Sequence, residues 1–289
     1  MADPALRQAL EARPRKLIIA PGVFDGISAL IADRMGFKAL YVTGYGTVSS
    51  ALGLPDAGLA TYRDMVERVG LIAARTRTPI IADADTGYGG LLNVRHTVRG
   101  YEAAGVTAIQ LEDQEFPKKC GHTPNRRVIP AEDMVQKIKV ACDSRSSRNV
   151  LIIARTDARA GLGFDEALRR MEAYDKAGAD ILFIEAPETE DELAAIARHF
   201  DKPLLANMVT GGKTPVLPAE KLQELGYAIS IYPAAGFLAA GAAMHASYQE
   251  LLDHGINSGA VPMMGFTEFS EMIGFPDVWE FEKRYGVGE

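Results

Sequence analysis

The sequence predicts an α/β fold of the (α/β)8 TIM-barrel class, on three observations. First, a helical pattern that closes on a small or apolar residue plus glycine, then gives way to a short apolar run, occurs four times. Met35-Gly36 precedes 39–42, Ala104-Gly105 precedes 108–111, Ala177-Gly178 precedes 181–184 and Leu225-Gly226 precedes 228–231. Glycine suits the left-handed residue that ends a helix, and a short bounded apolar run suits a buried parallel strand. Second, runs at 17–20, 79–82, 150–154 and 203–206 fit the same role and complete eight strands. Third, 289 residues, 47% of them hydrophobic, fill one barrel-sized domain. Strand and helix alternate with no second core in view, which favours a closed barrel over the runner-up, a doubly wound sheet.

In chain order, Asp3-Pro4 starts a short helix ahead of the first strand. Helical periodicity then covers 61–75, 94–103, 131–142, 164–176 and 191–198, each between two strand candidates. Residues 255–289 have no barrel counterpart, and 266–272 and 278–285 read as added helices capping the barrel or packing on another subunit. The chain therefore reads as one domain, 1–289, with a C-terminal helical extension.

Composition narrows the partners. A net charge of −7 disfavours nucleic acid and anionic membranes. The apolar stretch 229–244 is too short and too rich in glycine and alanine to span a bilayer, and residues 1–16 lack the apolar core of a secretory signal. Two cysteines, Cys120 and Cys142, cannot build a disulfide framework, so a cytoplasmic location is the default.

Barrel chemistry sits at the C-terminal ends of the strands. Here those ends carry Asp83 and Asp85, Glu112 and Asp113, Asp157 and Glu185, with Asp56 in the loop after the second strand. So many carboxylates at one mouth repel one another unless a cation compensates, and a hard divalent ion suits oxygen ligands. Mg²⁺ is the natural choice and composition does not separate it from Mn²⁺. Rim ion pairs or helix caps are the competing explanation, above all for Asp113 and Asp157. Cys120 stands beside Lys118 and Lys119 and two positions before His122. Positive neighbours lower a thiol's pKa, which would fit it for proton transfer, although a chance cysteine in a basic loop has the same spacing. Cys142, on an apolar helical face, reads as a core residue. Arg155 directly follows the fifth strand and suits a carboxylate, or a salt bridge to Glu185 or Asp157. The Thr43-Gly44-Tyr45-Gly46-Thr47 stretch offers backbone N–H groups for an oxyanion, and Asn207 to Thr214 offers an amide and hydroxyls. Neither glycine-rich stretch has dinucleotide or P-loop spacing.

From about Pro21 to Tyr285 the chain resembles the isocitrate lyase and phosphoenolpyruvate mutase superfamily. The resemblance rests on Lys118-Lys119-Cys120-Gly121-His122, on Asp83-Ala84-Asp85-Thr86-Gly87-Tyr88-Gly89 and on Glu112-Asp113-Gln114. It implies that Asp85 binds Mg²⁺ directly while Asp56, Asp83 and Glu112 hold metal-bound waters. It makes Cys120 the acid on a gating loop, and gives Arg155 with the amides near Thr43, Gly44 and Tyr45 the oxo-acid carboxylate and developing enolate. Asn207 and Thr214 would take a second carboxylate, with Lys119, Gly121, His122 and Glu185 around the substrate. The superfamily also implies a homotetramer whose C-terminal helices are exchanged between subunits.

Within it, the chain looks closest to the 2-alkylmalate lyase and oxaloacetate hydrolase group, which includes the petal death protein, and to carboxyphosphonoenolpyruvate mutase. Methylisocitrate lyases commonly carry Glu-Phe-Gly where this chain has Thr210-Gly211-Gly212. The expected reaction is Mg²⁺-dependent carbon–carbon cleavage of a small 2-hydroxy or hydrated 2-oxo dicarboxylate to an oxo acid and a carboxylate, with Cys120 as general acid. A phosphonomutase, an oxaloacetate decarboxylase and a catalytically silent binding protein are the alternatives.

Overall fold

The computed structural model describes residues 3–121, 123 and 126–286. Eight parallel strands are ordered β6-β5-β4-β3-β2-β1-β8-β7. They are β1 (Ile18–Val23), β2 (Leu40–Val42), β3 (Ile80–Asp83), β4 (Ala108–Glu112), β5 (Leu151–Thr156), β6 (Ile181–Ile184), β7 (Leu205–Asn207) and β8 (Ile229–Tyr232). The ring closes where β6 meets the approach to β7, through a parallel bridge between Leu182 and Leu204. The predicted barrel is present, and Gly36, Gly105, Gly178 and Gly226 all have positive φ, as the helix-ending role requires.

The helices are α1 (Ala5–Glu11), α2 (Gly26–Arg34), α3 (Gly44–Leu52), α4 (Tyr62–Ala73), α5 (Leu91–Ala103), α6 (Ala131–Ser144), α7 (Arg159–Leu162), α8 (Phe164–Lys176), α9 (Glu190–His199), α10 (Ala219–Leu225), α11 (Ala235–His254), α12 (Phe266–Ile273) and α13 (Phe275–Tyr285). Local chemistry starts several of them. Asp25 and Ser28 cap α2 reciprocally, Thr61 and Asp64 do the same for α4, and Thr189 caps α9.

Two hydrophobic layers follow from the strand alternation. Leu40, Val42, Ile109, Ile152 and Leu182 face the helices and pack with Val69, Val98, Ile138 and Met171. Tyr41, Ile81, Ile153, Phe183 and Ile231 fill the barrel interior, and Leu6 and Leu10 of α1 join that inner cluster.

The structure differs from the sequence reading at two places that matter. Strands β3, β4, β5 and β7 run one or two residues further than their apolar runs, so Asp83, Glu112, Arg155 and Asn207 lie on strands. The 43–47 stretch, read as glycine-rich backbone after the second strand, opens helix α3, which Gly53 ends in the left-handed conformation (φ 65°). The chain divides into two compact units, Met1–Gly236 and Phe237–Glu289. Within the second, α12 and α13 meet at Gly274, and Phe275 stacks near Trp279 with ring centroids 6.0 Å apart. No helix among the described residues is long and apolar enough to cross a membrane.

Candidate active site

The turn after β3 places one acid and one tyrosine under strain. Asp85 and Tyr88 have positive φ (48° and 57°), conformations that cost free energy unless their surroundings hold them. They are held: the Asp85 N–H donates to Asp83 Oδ1 at 3.0 Å and the Asp85 carbonyl accepts from the Glu112 N–H at 2.9 Å. Asp83, Asp85 and Glu112 are all buried. Burial pushes the Asp85 carboxyl up to about 7, against the pull of Lys118, and pushes Glu112 well above the carboxylate range despite Arg155.

Opposite these acids lies the N-terminus of α3. The first-turn N–H groups beginning at Gly44 have no helical acceptor and carry the positive end of the helix dipole. Gly44 is required there, because a Cβ would stand 2.6 Å from Asp83 Oδ2. Of the donors expected at Thr43, Gly44 and Tyr45, the Thr43 N–H is taken by the Val23 carbonyl at 3.1 Å, and Gly44 and Tyr45 lie in the first turn of the helix.

A second network fixes Arg155. Its Nε and Nη2 edge binds Asp157 at 2.8 and 3.0 Å, with Glu112 at 3.3 Å, Glu185 at 3.4 Å and the Phe183 ring 5.3 Å below. Burial works against its charge, but Asp157, Glu112 and Glu185 hold the guanidinium pKa well above normal. Asp157 also pairs with buried Arg126 at 2.5 Å. Asp113 accepts from Thr156, Tyr174, Arg170 and the Asp157 N–H. Asp157 therefore braces Arg155 directly, and Asp113, itself paired with Arg170, holds the Asp157 backbone.

The segment after β4 folds back over this mouth. The Gln114 side-chain amide clamps the Lys119 backbone at 2.8 and 3.0 Å, and the Cys120 N–H donates to the Asp56 carbonyl at 3.2 Å. Gly121 lies so close to Arg155 and Glu185 that a Cβ would collide with the Arg155 guanidinium and stand 2.9 Å from Glu185 Cδ. Across the mouth, Asn207 Nδ2 donates to Glu185 Oε2 at 3.1 Å, and Thr214 is buried with its hydroxyl lacking a partner among the described residues.

The two lysines diverge, which the sequence could not tell. Lys118 is buried, its Nζ 2.6 Å from both Asp56 Oδ1 and Asp85 Oδ1, whereas Lys119 is exposed and lines an outer cavity with Arg126, Arg127 and Lys213. Neighbouring lysines were the reason to expect an acidified Cys120, and Lys118 turns instead to the acids. Cys142 is half-buried, its thiol donating to the Gly178 carbonyl at 3.3 Å. The sequence reading missed Lys118 and Gln114; their spacing carries no signal apart from the fold. His122 lies outside the described residues.

The donor set fits a hard cation. Glu112 Oε1 is buried without a hydrogen bond, and Asp85 Oδ1, buried beside it in the cluster, has the Lys118 ammonium at 2.6 Å. Mg²⁺ binds through one or two carboxylates and keeps several waters, and Asp85 and Glu112 offer oxygens of that kind.

The family described as phosphoenolpyruvate phosphomutase matches residues 6–252. A 2,3-dimethylmalate lyase of Eubacterium barkeri is 47% identical over 95% of each chain. A 2-methylisocitrate lyase of Aeropyrum pernix is 42% identical over 96% of this chain and 88% of its own. Among solved structures, an oxaloacetate acetylhydrolase bound to 3,3-difluorooxalacetate has TM-score 0.92 at 35% identity, covering 98% of this chain and 97% of the other. A phosphonopyruvate hydrolase bound to oxalate and Mg²⁺ has TM-score 0.87 at 31% identity, covering 99% of both.

Proposed function

Because the chain belongs to the phosphoenolpyruvate phosphomutase family, with lyases of 2-hydroxy acids among its similar relatives, we propose that it is a divalent-metal-dependent carbon–carbon lyase acting on a 2-alkylmalate. The observation that carries this reading is the convergence at one barrel mouth of Asp85, Glu112 and Arg155 beneath the Cys120 segment.

Asp85 would hold Mg²⁺ directly, with Asp56, Asp83 and Glu112 positioning its waters; Mn²⁺ has the same ligand preferences. When bound, the ion supplies Lewis-acid polarisation of the substrate's 2-hydroxyl and neighbouring carboxylate. Arg155, whose inner edge is fixed by Asp157, presents its remaining edge to that carboxylate. The N–H groups of Gly44 and Tyr45 at the start of α3 stabilise the developing negative charge. Asn207 and Thr214 take the second carboxylate, with Glu185 orienting the Asn207 amide. The 2-hydroxyl gives its proton to water at the mouth, and the C2 oxygen becomes a carbonyl as C2 releases C3. The C2–C3 bond breaks with its electron pair on C3, and the Cys120 thiol delivers a proton there. The products are a 2-oxo acid and a simple carboxylate. Gly121 completes the wall against Arg155 and Glu185.

The exposed apolar side chains of the second unit, among them Leu252, Phe266, Trp279 and Phe281, support a helix-exchanged homotetramer. Two free cysteines suit the cytoplasm.

Proton NMR of the protein with 2,3-dimethylmalate, 2-methylisocitrate and oxaloacetate tests the reading. Cleavage of the alkylmalate ahead of the other two, abolished by EDTA and restored by Mg²⁺, is expected. Absence of cleavage, or full turnover without metal, would overturn it.

A further inference from the structure

Lys118 is a buried charged group at the mouth, in contact with the acids of the proposed metal site, that the reaction leaves without a task. Its side chain is 3% exposed and its Nζ lies 2.6 Å from Asp56 Oδ1 and 2.6 Å from Asp85 Oδ1, themselves 6% and 8% exposed. The ammonium thus sits inside a carboxylate cluster, within ion-pair distance of two acids. The adjoining backbone is pinned on both sides, by Gln114 to Lys119 and by the Cys120 N–H to the Asp56 carbonyl, so the ammonium is aimed at the acids by its setting.

We propose that Lys118 is the cluster's built-in counter-cation and that it competes with the divalent ion for Asp85, so that metal binding expels the ammonium from the barrel mouth. The inference rests on the metal reading above. Four carboxylates without a cation would be costly to bury, and Lys118 with Arg155 offsets half of their charge. A divalent ion at Asp85 would place three positive charges around one buried oxygen if Lys118 stayed. That oxygen, Asp85 Oδ1, lies 2.6 Å from the ammonium, so the ion and Lys118 would meet at the same atom. Lys118 then sets metal affinity. It keeps the metal-free cluster neutral enough to stay folded and raises the concentration of Mg²⁺ needed to fill it.

Two measurements on the intact protein decide. Calorimetric titration with Mg²⁺ compares the wild type with Lys118→Met and Lys118→Gln. Removal of the competitor should tighten Mg²⁺ binding at least tenfold, and unchanged or weaker binding would overturn the proposal. The second needs no variant. Limited acetylation followed by peptide mass spectrometry compares Lys118 with exposed Lys119 as an internal reference. Lys118 should be protected without metal and the Lys118 to Lys119 ratio should rise several-fold at saturating Mg²⁺; a ratio that stays or falls would overturn expulsion even if the variants fail to fold. No Mg²⁺ binding by the wild type at millimolar concentration would sink the metal reading itself, and the competition with it. Binding with equal affinity in all three proteins would sink the competition alone.

Discussion

Gly121→Ala is the substitution whose consequence the geometry fixes most tightly. The added methyl would collide with the Arg155 guanidinium and stand 2.9 and 3.0 Å from Glu185 Cδ and Cγ. Neither neighbour can move freely. Arg155 is fastened to Asp157 at 2.8 and 3.0 Å, and Glu185 accepts from the Ala186 N–H at 3.0 Å and from Asn207 at 3.1 Å. The 118–121 segment must therefore lift by roughly 1 Å, and a misplacement of that size costs about 10²-fold in rate, or about 2.7 kcal/mol at the transition state. Because the methyl lies in a loop at the mouth and not in the core, the thermal midpoint should stay within a few degrees of wild type. Steady-state kcat on the best 2-alkylmalate, together with the melting curve, is the assay. Gly26→Ala, whose methyl would meet no atom within 4 Å, is the control and should leave kcat unchanged. A Gly121→Ala enzyme with kcat within threefold of wild type would refute the claim that this segment seats against Arg155 and Glu185 during turnover.

Cys120→Ser should lower kcat by about 10²–10⁴-fold while oxalate still binds, because a hydroxyl is a far weaker acid than a thiol near neutral pH; Cys142→Ser should leave kcat alone, and near-native turnover by the Cys120 variant would make the thiol a bystander. Asp85→Ala should weaken Mg²⁺ binding more than Asp56→Ala in a calorimetric titration, since loss of a direct ligand outweighs loss of a water-holder, and equal dissociation constants would contradict that ranking. Glu166 is held down at about 2 by hydrogen bonds from Arg169, then, against a smaller burial effect, by Arg170. Its folded pKa is depressed, so its stabilisation is full above the unfolded value of about 4.3 and is lost as pH falls towards 2. Denaturant titration should find Glu166→Gln less stable than wild type at pH 7, with the gap closing by pH 2; a gap independent of pH would contradict this.

The barrel was legible because its signals are local. The glycines at 36, 105, 178 and 226 each end a helix in the left-handed conformation, and the apolar runs after them are the strands. The strand ends were less so: periodicity stops at the first polar residue, whereas pairing continues through Asp83, Glu112, Arg155 and Asn207, whose side chains face the mouth. Helix α3 was hidden by Gly44 and Gly46, poor helix formers, of which Gly44 is kept because Asp83 leaves no room for a Cβ. The acids stood out as residues following strands, but which of them brace and which stay open depends on contacts distant in sequence, such as Tyr174 to Asp113 and Arg126 to Asp157. Lys118 and Lys119 are equivalent as letters. Only the Gln114 clamp and the path of the chain past Asp56 send one into the acids and the other to solvent.

The central claim is cleavage of a carbon–carbon bond with protonation of the new carbanion by Cys120, and turnover of a 2-alkylmalate in D₂O with Mg²⁺, followed by NMR and mass spectrometry, tests it directly. The account predicts a 2-oxo acid and, in equal amount, a carboxylate carrying one deuterium on the carbon that was C3, with both products nearly absent for Cys120→Ser. A carboxylate free of deuterium at that carbon, or an alkylmalate left intact while a phosphonate is consumed, would contradict it.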